Sequence, residues 1–135
     1  MKKQLLIISS VIIGSFILLS MTNMKTDTQE PWPVPAKYKK MENPYAKATD
    51  GENIGKILYA KHCKSCHGSK GKGDGKKAAS IDTPIGDFTD AAFKKQSDGS
   101  LYYKTFVGRD DMPSFDKKIP DNEEQWLLIN YIKNL

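Results

Sequence analysis

Both cysteines and both histidines of this 135-residue chain fall within six consecutive positions, His62-Cys63-Lys64-Ser65-Cys66-His67. Two thiols three residues apart on a turn of helix can present their sulfurs along one edge of a planar ring and add to the two vinyl groups of a haem as thioethers. The residue that follows then offers an imidazole to that ring's iron. The Cys-x-x-Cys-His spacing is read as covalent haem attachment, and an axial histidine is a standard protein lever on haem iron. Three other chemistries compete poorly. Structural zinc needs four protein ligands around a tetrahedron, and two thiols and two imidazoles crowded into six positions cannot close one. A thioredoxin-like redox pair needs strands around it, and the sequence shows none. A structural disulfide across so short a loop would contribute little stability.

A six-coordinate iron needs a second axial ligand. After His67 the chain has no further histidine and one methionine, Met112, in Gly108-Arg109-Asp110-Asp111-Met112-Pro113-Ser114-Phe115. A lone methionine is more often core filler, but this one sits in a polar loop with Pro113 fixing the backbone directly after it. That arrangement points to a thioether aimed at iron, and Met/His ligation raises the reduction potential. Arg109 is the chain's only arginine. It is a candidate for bidentate contact with a haem propionate, with a surface pairing to Asp110, Asp111 or Asp116 as the alternative.

The elements that must position these groups are helical. Asp50 is a candidate N-cap, and Ile54, Ile57 and Leu58 follow at helical spacing up to the cysteines. Gly68, Gly71, Gly73 and Gly75 then break regularity without matching a phosphate-binding loop. A second helix is expected from Ser97 or Asp98, with Leu101 and Thr105 on one face and Tyr102 and Phe106 on the next, stopped at Gly108; a short helix is expected around Asp90 to Lys95. The last helix starts at Asp121 with Glu124 in a capping-box position, and Leu128, Tyr131, Ile132 and Leu135 fall on one face. No stretch alternates at period two, so residues 50–135 read as one all-α domain. So small a domain, with few large apolar side chains between its first and last helices, often needs a staple or a cofactor, and something other than polypeptide is expected to fill its centre.

Ahead of it, residues 25–49 hold Pro31, Pro33, Pro35 and Pro44 and read as an extended tether, part of which Trp32, Tyr38 and Tyr45 should hold against the domain. Residues 1–24 start with Lys2 and Lys3 and continue into the apolar stretch Leu5 to Leu19, a signal peptide that is either cleaved or retained as a membrane anchor. Either way the domain is expected outside the cytoplasm, in the periplasm or on the outer face of the cytoplasmic membrane. The formal charge is +5, and loss of residues 1–24, with two lysines and no acid, leaves +3. Lys56, Lys61, Lys64, Lys70, Lys72, Lys76 and Lys77 stand against Asp74 alone between residues 56 and 77. They form either a solvated face or a surface that steers an acidic protein partner, and their place beside the cysteines favours the second. One arginine and no basic-aromatic pattern argue against nucleic acid.

Taken together, Gly55 and Tyr59 in the first helix, Cys63-Lys64-Ser65-Cys66-His67, the Met112-Pro113 loop, and Leu128 and Tyr131 in the last helix resemble a class I c-type cytochrome over residues 51–135. The resemblance implies a small domain of three to five helices wrapped around one covalently attached haem c. It implies that the first and last helices cross at a small residue, a role for Gly55. It also implies that the carbonyl of a proline-containing loop accepts the axial histidine's second N–H; Pro84 is the only proline between His67 and Met112. The site is then Cys63 and Cys66 as thioether anchors, His67 and Met112 on the iron, and Arg109 beside the cofactor. The expected function is that of a monomeric one-electron carrier between respiratory redox proteins such as an oxidase or dehydrogenase. The alternatives are a subunit feeding such a complex permanently, or a haem-free thiol-disulfide protein.

Overall fold

The computed structural model describes residues 32–135. The apolar stretch Leu5 to Leu19, and the cleavage or anchoring expected of it, lie outside the described residues. Among the described residues six α-helical segments follow one another: α1 (Ala36–Lys39), α2 (Ile54–His62), α3 (Lys64–His67), α4 (Ala91–Lys94), α5 (Asp98–Val107) and α6 (Asn122–Lys133), with one 3-10 turn at Ala78–Ser80. Three of them are single turns of four residues. The remaining three carry the core. Among the described residues the only pairing of extended backbone is an isolated bridge between Arg109 and Met112, so the fold is all-α.

The long helices start and stop where their capping residues put them. Asp121 accepts a hydrogen bond from the Glu124 N–H at 3.0 Å, and the Ser97 side chain accepts from Ser100 N–H at 3.2 Å; each satisfies a backbone donor left over by the first turn. Helix α2 differs from the sequence expectation at its start. It begins at Ile54 with Asn53 as N-cap, in a left-handed conformation (φ 57°). Asp50 still caps it, from one turn further back, by accepting from the N–H groups of Ile54 and Gly55 at 2.7 and 2.9 Å. Ile57, counted on the apolar stripe, is 59% exposed. The buried face of α2 instead carries Gly55 and Tyr59.

Gly55 is buried because α2 crosses α6 there. A Cβ built on Gly55 would run into the Leu127 carbonyl and come within 2.9 Å of Tyr131 Cβ. The two backbones touch only because no side chain intervenes. Tyr59 and Tyr131 pack beside the crossing with ring centroids 5.3 Å apart. Along α6 the buried set is wider than the expected stripe: Trp126, Leu127, Leu128, Ile129 and Ile132 are all buried. A helix sunk in a core on more than one side loses a clean stripe; here α5 covers the flank, with Tyr102 stacked on Trp126 at 4.5 Å.

The segment before α2 lies on this core. Tyr38 packs on Tyr103 of α5 at 4.7 Å, and Gly99 leaves room for the Tyr38 carbonyl and Met41. Asn43 donates to Asp98 Oδ2 (3.1 Å) and Asn130 Oδ1 (2.7 Å), and Asn130 donates in return to the Tyr45 carbonyl at 2.8 Å.

Candidate haem site

The site begins where α2 ends. Cys63 is at once the C-cap of α2 and the N-cap of α3, so the single turn Lys64–His67 swings Cys66 and His67 around from the axis of α2. The glycine-rich loop then folds back over this turn. The N–H of Gly73 donates to the His67 carbonyl (2.9 Å), that of Gly75 to the Cys66 carbonyl (3.1 Å) and that of Lys77 to the Ser65 carbonyl (2.9 Å). These are the carbonyls a one-turn helix cannot satisfy by itself. Gly75 lies so close to the backbone of Ser65 and Cys66 that a Cβ there would collide with it. The glycines therefore wrap the turn that carries the cysteines. Tyr59 joins this wrap to the helix crossing, donating from its hydroxyl to the Gly68 carbonyl at 2.7 Å; burial raises its pKa.

Beside this turn lies a cavity of about 510 Å³ whose wall includes Cys63, Cys66, His62, His67, Met112 and Arg109. Every residue expected to hold a cofactor thus lines one cavity. Its volume falls within the roughly 300–1,000 Å³ of small-molecule and cofactor sites. Cys63 is 5% exposed, and burial pushes its thiol up to about 12, with the Cys66 charge adding to the rise. His67 is held neutral by burial, which pushes its pKa down to about 4, so it presents a lone pair rather than a cation at neutral pH. Its ring stacks on Phe88 (centroids 4.5 Å, 28° between planes), which stacks in turn on Phe93 at 4.5 Å.

The expected carbonyl contact to His67 is not made. Pro84 lines the cavity, but His67 Nδ1 is buried without a hydrogen-bond partner. The Phe88 face fixes the ring plane instead. His62 Nε2 is likewise buried and unpartnered; its ring meets Phe115 edge-on at 5.8 Å. Burial lowers the pKa of His62, with Lys61 and Lys118 reinforcing the effect.

Elsewhere on the cavity wall, Met112 sits in a loop braced by its own backbone. Arg109 N–H donates to the Met112 carbonyl at 2.8 Å and Met112 N–H to the Arg109 carbonyl at 2.9 Å, with Asp110 between them at φ 51°. Ser114 Oγ donates to the Phe106 carbonyl at 2.7 Å and fastens the loop to α5. Arg109 pairs with Asp110 (Nε to Oδ2, 3.1 Å) and lies 4.7 Å from the centroid of the Trp32 ring; Lys104 Nζ lies 5.7 Å from the same ring. Trp32 itself lines the cavity. Burial lowers the Lys104 pKa, and the Arg109 charge lowers it further.

Sequence reasoning missed Phe88, Thr83, Lys104 and the reach of Trp32 into the cavity wall. Nothing in their spacing marks them, since each arrives from a loop or from a distant part of the chain. The donor set fits haem c. Two thiols not joined to each other, a neutral imidazole and a thioether surround an apolar-walled cavity, and two buried ring nitrogens have no protein partner. Buried polar groups are otherwise nearly always satisfied.

The cytochrome c family model matches residues 53–135, more than half of the chain. The chain belongs to that family. It is accordingly a haem-based electron-transfer protein, with covalently bound haem c as cofactor and iron as metal. No curated protein and no solved structure matches the chain.

Proposed function

We propose that this protein is an exported monohaem cytochrome that carries single electrons between respiratory redox proteins, as a monomer. The observation that carries the reading is that the two thiols, His67 and Met112 line the same cavity. In it, Cys63 and Cys66 would hold haem c through thioethers, and His67 and Met112 would bind its iron. Haem c when bound supplies the reversible Fe(III)/Fe(II) couple. The chain's own residues keep that couple clean. Phe88 and Phe93 orient the imidazole from behind, while burial keeps it unprotonated. With both side chains bound to the iron, no coordination position would remain for a substrate, in keeping with a carrier rather than a catalyst. Soft sulfur from Met112 favours the ferrous state and raises the potential. Arg109, beside Lys104 at the Trp32 end of the cavity, is placed to offset a propionate's charge.

Export is supported by Lys2 and Lys3 ahead of the apolar stretch Leu5 to Leu19. Among the described residues no helix is long and apolar enough to cross a membrane. Retention of residues 1–24 as an anchor would keep the carrier on the outer face of the cytoplasmic membrane, and cleavage would free it into the periplasm. The partner is an acidic redox protein. Lys56, Lys61, Lys64, Lys70, Lys72, Lys76 and Lys77 are all exposed, and Lys61 and Lys77 also line the cavity, so their field steers an acidic surface toward the cofactor.

The visible spectrum of the purified protein tests this reading. A stable six-coordinate ferric form with a weak sulfur-to-iron band is expected, and a high-spin resting spectrum would instead mean an open coordination position and a catalytic haem.

A further inference from the structure

Two segments of the cavity wall are tied together by a residue pair, Thr83 and Asp111. Asp111, next to Met112 in the loop, accepts two hydrogen bonds on the same carboxylate oxygen, from the Thr83 hydroxyl at 2.7 Å and from the Thr83 N–H at 3.3 Å. Both residues line the cavity. Thr83 belongs to the segment that continues through Pro84, Ile85 and Gly86 along the cavity wall to Phe88. That segment is pinned to the wrap around the cysteine turn, because Phe88 N–H donates to the Gly71 carbonyl at 2.7 Å, and Phe88 backs the His67 ring. The reciprocal Arg109 and Met112 bonds and the Ser114 tie to Phe106 hold the loop to itself and to α5. The pair Thr83 and Asp111 ties the loop to the segment that leads to Phe88.

We propose that Thr83 and Asp111 form a clasp that positions Met112, holding its thioether toward the iron and setting how readily that bond opens. The inference deepens the functional reading above and rests on Met112 being an axial ligand. Three features suit the pair to the task. Pro84 restricts Thr83 to extended backbone, so its hydroxyl and N–H reach Asp111 from a stiff segment. Hydrogen bonds to an ionised acceptor are stronger than neutral ones. And Asp111 is bonded to Met112 through a single peptide link, so freedom gained by the carboxylate passes directly to the ligand. When the bond opens, the Met112 sulfur leaves with its electron pair and an incoming nitrogen donates its own; nothing is oxidised or reduced.

Titration of the ferric holoprotein with imidazole, followed by loss of the sulfur-to-iron band, tests the clasp. Thr83→Val, which removes the hydroxyl donor, should bind imidazole about tenfold more tightly than the wild type, equivalent to about 1.4 kcal/mol. Thr83→Ser, which keeps both donors, should behave as the wild type. Asp111→Ala should match Thr83→Val, and the double variant should be no weaker at the clasp than either single, the non-additivity expected of two partners in one contact. A wild-type affinity in Thr83→Val, or additive effects in the double variant, would overturn the proposal; additivity would mean general loosening. Met112→Ala separates this outcome from failure of the ligand assignment. If the wild type already binds imidazole as tightly as Met112→Ala, Met112 is not on the iron and the clasp has nothing to position.

Discussion

The crossing of α2 and α6 and the loops around the cavity are opposite solutions to the same shortage of apolar side chains. At the crossing the protein meets itself. Gly55 lets the backbones touch, Tyr59 and Tyr131 close the sides, and Leu128 and Ile129 are fully buried. Around the cavity, residues 68–90 and 108–120 have almost no regular structure beyond one 3-10 turn and an isolated bridge. Their polar groups are satisfied by wrapping, as with the glycine loop over the cysteine turn. Two imidazole nitrogens there have no protein partner at all. One region is complete as polypeptide, and the other is shaped for a group the polypeptide does not supply. Tyr59 connects them, with its ring in the first and its hydroxyl on the Gly68 carbonyl of the second.

If that contrast is correct, substitutions in the two regions should fail differently. The largest effect is expected from replacing Cys63 and Cys66 together by serine. Covalent haem should be lost entirely, the visible bands should be absent from the denatured polypeptide, and the loop flank should lose its fixed structure while helical signal from α2 and α6 persists in part. Next comes Met112→His, which keeps six-coordination but exchanges sulfur for a harder nitrogen. The midpoint potential should fall by a sizeable part of the ~0.8 V range that axial ligands span. An unchanged redox titration would assign the ligand elsewhere.

Gly55→Val probes the other region. Its side chain has nowhere to go but into the Leu127 carbonyl and Tyr131, so the helices must part at a cost of about 1–3 kcal/mol. Thermal unfolding should move down by roughly 4–8 °C for each kcal/mol lost in a domain of this size, with the potential nearly unaltered. A large shift in potential with little loss of stability would break the division between the regions. The smallest effect is expected at the cavity rim. Arg109→Lys keeps the charge but loses the planar fork, and should lower the potential slightly. No change in a redox titration would leave Arg109 to its pairing with Asp110.

The two regions also differed in how far they could be read from the sequence. Local rules carried the helices. Asp121 before Glu124 caps in the structure as the spacing indicates, α5 starts at Asp98 directly after Ser97 as expected, and Gly108 ends it. Where the rule depended on which face turns inward, it slipped. Ile57 follows the apolar period yet is exposed, because the tight approach at Gly55 rotates Tyr59 rather than Ile57 into the core. In the site, residue type and spacing singled out Cys63, Cys66, His67 and Met112, which the structure brings to one cavity, since thiol, imidazole and thioether are rare and chemically specific. Phe88 behind His67, Trp32 beside Arg109, and Thr83 on Asp111 were not legible. Each depends on a loop trajectory set by backbone bonds such as Phe88 to Gly71, and such bonds leave no mark on side-chain pattern.

Electron transfer here depends on two sulfurs carrying a porphyrin and on the neighbouring imidazole binding its iron. Intact mass of the purified protein under denaturing conditions, after exposure to a thiol-alkylating reagent, reports on the covalent attachment. The predicted result is the polypeptide plus one haem, with neither cysteine alkylated. Polypeptide mass with both cysteines alkylated, or with the two joined to each other, would contradict it.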